Sequence, residues 1–96
     1  MKTFKDLEFK PHDLSHLAEE GMKQAIMFFP NGYGVSVLFG WRFYSNGVDT
    51  YELAVLRRCE NGKGYLVDCN TPITEDVLSY ITEDEVTEAM IKVQKL

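Results

Sequence analysis

Cysteine is scarce in this chain of 96 residues, which contains only Cys59 and Cys69. The sequence has no Cys-X-X-Cys pair and no cluster of cysteine and histidine, as expected for a protein of the reducing cytosol. If Asn61-Gly62 turns a hairpin, the two cysteines fall roughly five residues out of register, or about 15 Å apart along the strands. A disulfide needs Cα atoms within about 7 Å of each other, so we expect both thiols to be free.

Long apolar stretches are also absent. No run approaches the ~20 residues of a membrane-spanning helix, and the first six residues lack the apolar core of a signal peptide. We therefore expect a cytoplasmic protein without a membrane partner. Because the length suits one folding unit, we expect a single domain over 1–96, and an apolar content of 45% is too high for a disordered chain.

Three Asn-Gly pairs punctuate the middle of the chain at regular intervals: Asn31-Gly32, Asn46-Gly47 and Asn61-Gly62. Asn-Gly is the strongest short hairpin signal, because both residues tolerate the positive φ of a type I′ turn. The apolar runs between these pairs predict four antiparallel strands. We place them at about 23–29, 33–44, 50–58 and 64–69, with a bulge or bend at Gly40.

A three-residue loop over 45–47 would set the register of the second and third strands by bringing large apolar side chains together. The predicted cross-strand pairs are Trp41 with Tyr51, Phe39 with Leu53, and Val37 with Val55. The alternation of apolar and polar residues also predicts one buried face. The expected core consists of Val35, Val37, Phe39, Leu53, Val55, Val86, Met90 and Val93.

The two ends of the chain follow other patterns. Residues 3–10 are rich in Phe and Leu and predict an edge strand or an ordered arm that Pro11 ends, followed by a polar loop over 12–21. Near the other end, Thr74 can cap a short helix over 74–81.

A second helix signal follows at once, because Thr82 and Glu85 form a capping box. The apolar residues behind it recur at helical spacing and predict the main helix over 83–95. The sequence therefore predicts an α+β domain, in which a C-terminal helix covers one face of an antiparallel β-meander of four to five strands.

Charge is distributed unevenly. The segment 64–91 contains no lysine or arginine but seven acids, and because the whole chain carries −5, the rest of it carries +2. One interpretation is structural, since helix N-termini attract acids and Glu85 serves the capping box. The other is an acidic surface for a basic protein partner. The candidate partner-binding residues are Glu75, Asp76, Glu83, Asp84 and Glu88.

A nucleic-acid-binding face of the sheet is the alternative hypothesis. Arginines beside an aromatic residue can stack on bases, and the candidates are Arg42, Arg57, Arg58 and Tyr65. Phosphate contacts supply most nucleic-acid affinity, however, and a net charge of −5 opposes them. The structural alternative is that the arginines keep a strand end soluble.

Patterns typical of catalysis or of metal binding are missing. His12 and His16 are four residues apart, but no further ligands are evident beside them. The glycines of 31–34 stand between two strands and lack the Lys-Ser/Thr of a phosphate loop. No Gly-X-Ser-X-Gly motif is present. We therefore expect neither enzymatic activity nor a cofactor or bound metal.

Four strings of the sequence, 29–37, 51–56, 71–77 and 82–86, resemble a group of small bacteriophage and prophage proteins of unknown function. The resemblance extends over most of the chain from Phe4 onward and includes Lys10-Pro11-His12. Before Thr71-Pro72 this chain departs from the group, because it has Cys69-Asn70 where an acidic or aromatic residue is common. No shared role for Cys69 follows.

The resemblance implies a class of function rather than a mechanism. Phages encode many small acidic proteins that redirect or block host proteins, including nucleases and CRISPR effectors. It implies a non-enzymatic interaction module in the cytoplasm of a bacterial host, with a host or phage protein of basic surface as its partner. Whether the chain also forms a homo-oligomer stays open.

Overall fold

A computed structural model of the protein describes residues 1–11, 22–40, 43, 45–60, 64–73 and 77–96. After a 3₁₀ turn at Phe4–Asp6, the elements are the strands β1 (Lys10–Pro11), β2 (Lys23–Phe28), β3 (Tyr33–Phe39), β4 (Tyr51–Arg58), β5 (Tyr65–Val67) and β6 (Leu78–Ile81), and the helix α1 (Glu83–Gln94). Strands β1 to β5 form an antiparallel meander in chain order, and β6 also pairs with β4. The predicted α+β meander with a C-terminal helix is confirmed.

Strand β4 carries two short strands on one of its edges. β5 pairs with its C-terminal half and β6 with its N-terminal half, while β3 occupies the other edge. The predicted helix over 74–81 is therefore wrong for Leu78–Ile81; residues 74–76 lie outside the described ranges. Backbone groups along an edge of β4 need hydrogen-bond partners, and this long-range pairing outweighs the weak local preference of four residues for a helix.

The turn between β2 and β3 depends on tertiary contacts as well as on local preference. The amide of Gly32 donates to the carbonyl of Phe29 at 3.1 Å, and Gly32 has a φ of +87°. This geometry matches a three-residue loop with a glycine bulge rather than the expected two-residue type I′ turn. The side-chain amide of Asn31 donates to the carbonyl of Val93 at 2.9 Å and so ties the hairpin to α1.

The connection between β3 and β4 is longer than predicted, because β3 ends at Phe39 and β4 begins at Tyr51. Within it, the side-chain oxygen of Asn46 accepts hydrogen bonds from the amides of Val48, Asp49 and Thr50 at 2.9–3.1 Å. The predicted register is therefore wrong by two residues: Val37 pairs with Leu53, and Val35 with Val55. A shift of two keeps each side chain on its predicted face. The third Asn-Gly pair lies in 61–63, which the structure does not describe.

The core lies between α1 and one face of the sheet. Seven of its eight predicted members are fully buried: Val35, Val37, Leu53, Val55, Val86, Met90 and Val93. Phe39 is the exception, because it stands at the end of β3 and packs on Tyr51 while remaining partly exposed. The helix found in the described ranges is too short and too polar to cross a membrane.

Candidate interaction surface

The first turn of α1 separates acids with a structural role from acids that face solvent. The hydroxyl of Thr82 accepts a hydrogen bond from the backbone amide of Glu85 at 3.3 Å, and the carboxylate of Glu85 accepts one from the backbone amide of Thr82 at 3.0 Å. This capping box confirms the predicted start of the helix. The carboxylates of Glu83, Asp84 and Glu88 are exposed, and none of them forms an ion pair with a described residue.

The three exposed acids do not form one patch. Asp84 and Glu88 are four residues apart and share the outward side of α1. Glu83 lies on the flank that carries Thr87, and the hydroxyl of Thr87 accepts a hydrogen bond from the backbone amide of Phe4 at 3.1 Å. Glu83 therefore faces the N-terminal arm. The other two predicted partner-binding residues, Glu75 and Asp76, lie outside the described ranges.

Besides Glu85, a second acid of the segment 64–91 has a structural role. Asp68 is only 9% exposed, and its carboxylate accepts the Nε–H of Arg57 at 3.1 Å. Its other oxygen accepts the amide of Asn70 at 2.9 Å. The acidic surface is consequently smaller than the count of acids indicates.

A small cavity, here called the aromatic pocket, lies beside the flank that carries Glu83. It has a volume of about 180 Å³ and is lined by Phe4, Phe9, Lys23, Phe39 and Tyr51. Tyr51 is central, with its ring centroid 5.1–5.7 Å from those of the three phenylalanines. Sequence reasoning missed this pocket, because no spacing rule connects an N-terminal arm with the ends of β3 and β4.

The hydroxyl of Tyr51 lies in a negative electrostatic environment. Burial raises its pKa above the ordinary value, and the charges of Glu83 and Asp49 raise it further. Both of the charges that raise this pKa are negative, and together they favour a positively charged group near the hydroxyl.

The opposite flank of α1 borders a second cavity, here called the β6 groove. Its volume is about 170 Å³. Apolar side chains of β6, α1 and the preceding loop line it together with three charged ones: Ile73, Leu78, Ile81, Ala89, Glu85, Glu88 and Lys92. Glu88 therefore lies both on the outward side of α1 and at the β6 groove.

The structure divides the predicted nucleic-acid face. Arg58 and Tyr65 are cross-strand partners on the sheet face away from α1. The guanidinium of Arg58 lies 4.0 Å from the ring centroid of Phe28, and the ring of Tyr65 lies 5.3 Å from that of Phe28. Arg57 is on the other face, paired with Asp68. Arg42 lies outside the described ranges.

Other candidate chemistry is limited in the described part of the chain. It contains no group of three His, Cys, Asp or Glu side chains that could hold a metal, and His12 and His16 fall outside it. Cys59 and Cys69 are both free thiols, as predicted. A third cavity of about 340 Å³ lies at the β1–β2 edge, where Glu8 and Lys10 are the charged lining residues.

Fold and surface together define a small α+β domain in which an acidic helix start stands between two depressions, one mainly aromatic and one lined by both apolar and charged side chains. A scan against protein-family models and searches of curated proteins and of solved structures find no match to the chain.

Proposed function

We propose that this protein is a non-enzymatic protein–protein interaction module, which docks the acidic start of α1 onto a basic surface of a host or phage protein and modulates or inhibits it. The observation that carries the proposal is the position of Asp84 and Glu88. Both are exposed and make no ion pair with a described residue, and Glu88 borders the β6 groove. Protein interfaces usually combine apolar side chains with charged ones at the rim, and the lining of the β6 groove contains both kinds.

The helix dipole does not explain all of these acids. Its effect is confined to the first turn, which accounts for Glu83 and Asp84 but not for Glu88 in the second. Lys92 stands at the i+4 position from Glu88, but the two form no ion pair, and even a formed pair at this spacing would contribute only about 0.2–0.5 kcal/mol. A net charge of −5 would also accelerate encounter with a basic partner.

The test is a double charge reversal, Asp84→Lys with Glu88→Lys, measured on a partner first identified by affinity capture from host lysate. We expect association to slow several-fold and the slowing to shrink at high salt, because rim charges act mainly on the association rate and are screened. Circular dichroism would verify the fold.

A matched control reverses Glu8 and Glu60 to lysine, which changes the net charge equally at two exposed residues outside α1. This control should leave the association rate nearly unchanged. The proposal is refuted if the variant with Asp84 and Glu88 reversed stays folded and associates at the wild-type rate. It is also refuted if the control variant slows association as much as that variant does. In either case the acids only solvate the helix.

The stack of Arg58, Phe28 and Tyr65 favours the alternative hypothesis, a nucleic-acid-binding module, because base stacking needs such a platform. One arginine supplies little phosphate affinity against a net charge of −5. We therefore expect no binding of single-stranded DNA or RNA in ~150 mM salt by fluorescence anisotropy. Micromolar binding that Tyr65→Ala abolishes would place this function ahead of the acidic surface.

A further inference from the structure

The aromatic pocket has the dimensions of a site for one side chain. Its volume of about 180 Å³ is below the roughly 300–1,000 Å³ typical of small-molecule sites. The four aromatic residues that line it are partly exposed. The pocket can therefore receive a group from solvent or from another protein without displacing the core.

The aromatic part of the lining favours a cation. Aromatic faces carry a negative quadrupole that attracts ammonium groups, and three phenylalanine rings surround Tyr51 at short distance. The carboxylates of Glu83 and Asp49 add negative charge at the hydroxyl end of Tyr51. A neutral apolar occupant would gain only the burial of its surface, and an anion would find an attractive charge only in Lys23 of the lining.

Lys23 is the cation already present in the lining, and it determines how selective the pocket can be. Its side chain is exposed, so the methylene stem can contact the rings while the ammonium remains in water. Its charge opposes the entry of a second cation. Removal of that charge should therefore strengthen cation binding. In a pocket that binds only through apolar contacts, the same substitution would not strengthen it.

We propose that the aromatic pocket takes an alkylammonium side chain of a partner protein, a lysine or its N-methylated form, with the methylenes against the rings and the ammonium toward Glu83 and Asp49. This inference rests on the proposed function, because it assigns an anchoring residue to the basic partner. It places the anchor on the flank of α1 opposite the β6 groove.

The probe is n-butylammonium chloride, which reproduces the lysine side chain, with 1-butanol as the neutral analogue at matched ionic strength. Both are titrated into the full chain while NMR shifts of the Tyr51 and Phe39 rings are followed. We expect n-butylammonium to bind about two- to fivefold tighter than 1-butanol, because this is the gain in affinity that a solvent-accessible cation–π contact provides.

Three variants test the electrostatic part of the proposal. Glu83→Gln should weaken n-butylammonium binding and leave 1-butanol unaffected, and Lys23→Met should strengthen it. Asp84→Asn, the adjacent acid on the outward side of α1, is the matched control and should change neither. All three positions are exposed, so the fold should persist.

Equal affinity for the two probes, or an equal loss in the Glu83 and Asp84 variants, would overturn the proposal. These titrations use no partner and therefore stand apart from the test of the proposed function. If the pocket selects cations but the Asp84 and Glu88 reversal leaves association unchanged, only the proposed docking through the outward acids is refuted. If the reversal slows association but the pocket does not select cations, only the proposed lysine anchor is refuted.

Discussion

Two glycines of the β2–β3 hairpin satisfy different physical requirements, and substitution should distinguish them. Gly32 has a φ of +87°, yet a Cβ built there would meet nothing within 4 Å. Gly34 has no such φ, but its Cβ would lie 2.5 Å from the carbonyl oxygen of Met27 and 2.7 Å from Cδ1 of Phe28. Gly32 is therefore required for conformation, and Gly34 for space.

The expected costs follow from those geometries. Alanine at Gly32 must adopt the left-handed region, at about 1–2 kcal/mol, whereas asparagine tolerates that region and should cost less. Alanine at Gly34 forces the β2 backbone and the Phe28 ring to move. Overpacking of this kind costs about 1–3 kcal/mol, and asparagine, being larger, should cost more than alanine. The order of the two substitutions should thus reverse between positions 32 and 34.

The assay is urea unfolding of the four variants, followed by far-ultraviolet circular dichroism. The midpoints should shift while the m-value stays constant, and in a domain of this size each kcal/mol should lower Tm by about 4–8 °C. Wild-type stability of Gly34→Ala would mean that β2 and β3 are further apart than described. Equal losses for alanine and asparagine at position 32 would refute the conformational explanation.

Three further predictions concern packing and charge. Thr82→Ala should lower the free energy of unfolding by about 1 kcal/mol through loss of the cap, and thermal melts that coincide with wild type would contradict it. Phe39→Ala should cost less than Met90→Ala, for which burial predicts about 2–5 kcal/mol; equal losses in urea unfolding would show that Phe39 belongs to the core. Arg57→Met should cost about 1–2 kcal/mol, between exposed and buried ion pairs, because it leaves the buried Asp68 without its cation; an unchanged urea midpoint would mean that the pair contributes nothing.

The fold could largely be predicted from local patterns. Capping by Thr82 and Glu85 is a contact between residues three apart, and the buried face of β3 follows from strict alternation, so short stretches of sequence contain the necessary information. The register of β3 and β4 could not be predicted, because it depends on how the loop over 40–50 is organised. Nor could the strand Leu78–Ile81, whose hydrogen-bond partner lies on β4.

The candidate surface divides in the same way. Composition and spacing alone determine that the chain is acidic, that its acids concentrate near the start of α1, and that Glu85 serves the cap. Only the tertiary structure decides that Asp68 is buried against Arg57, that Arg57 and Arg58 face opposite sides, and that the charge of Glu83 acts on Tyr51 of the aromatic pocket. The physical reason is that a periodic pattern reports which face of an element a side chain occupies, whereas the partner across that face comes from a distant part of the chain.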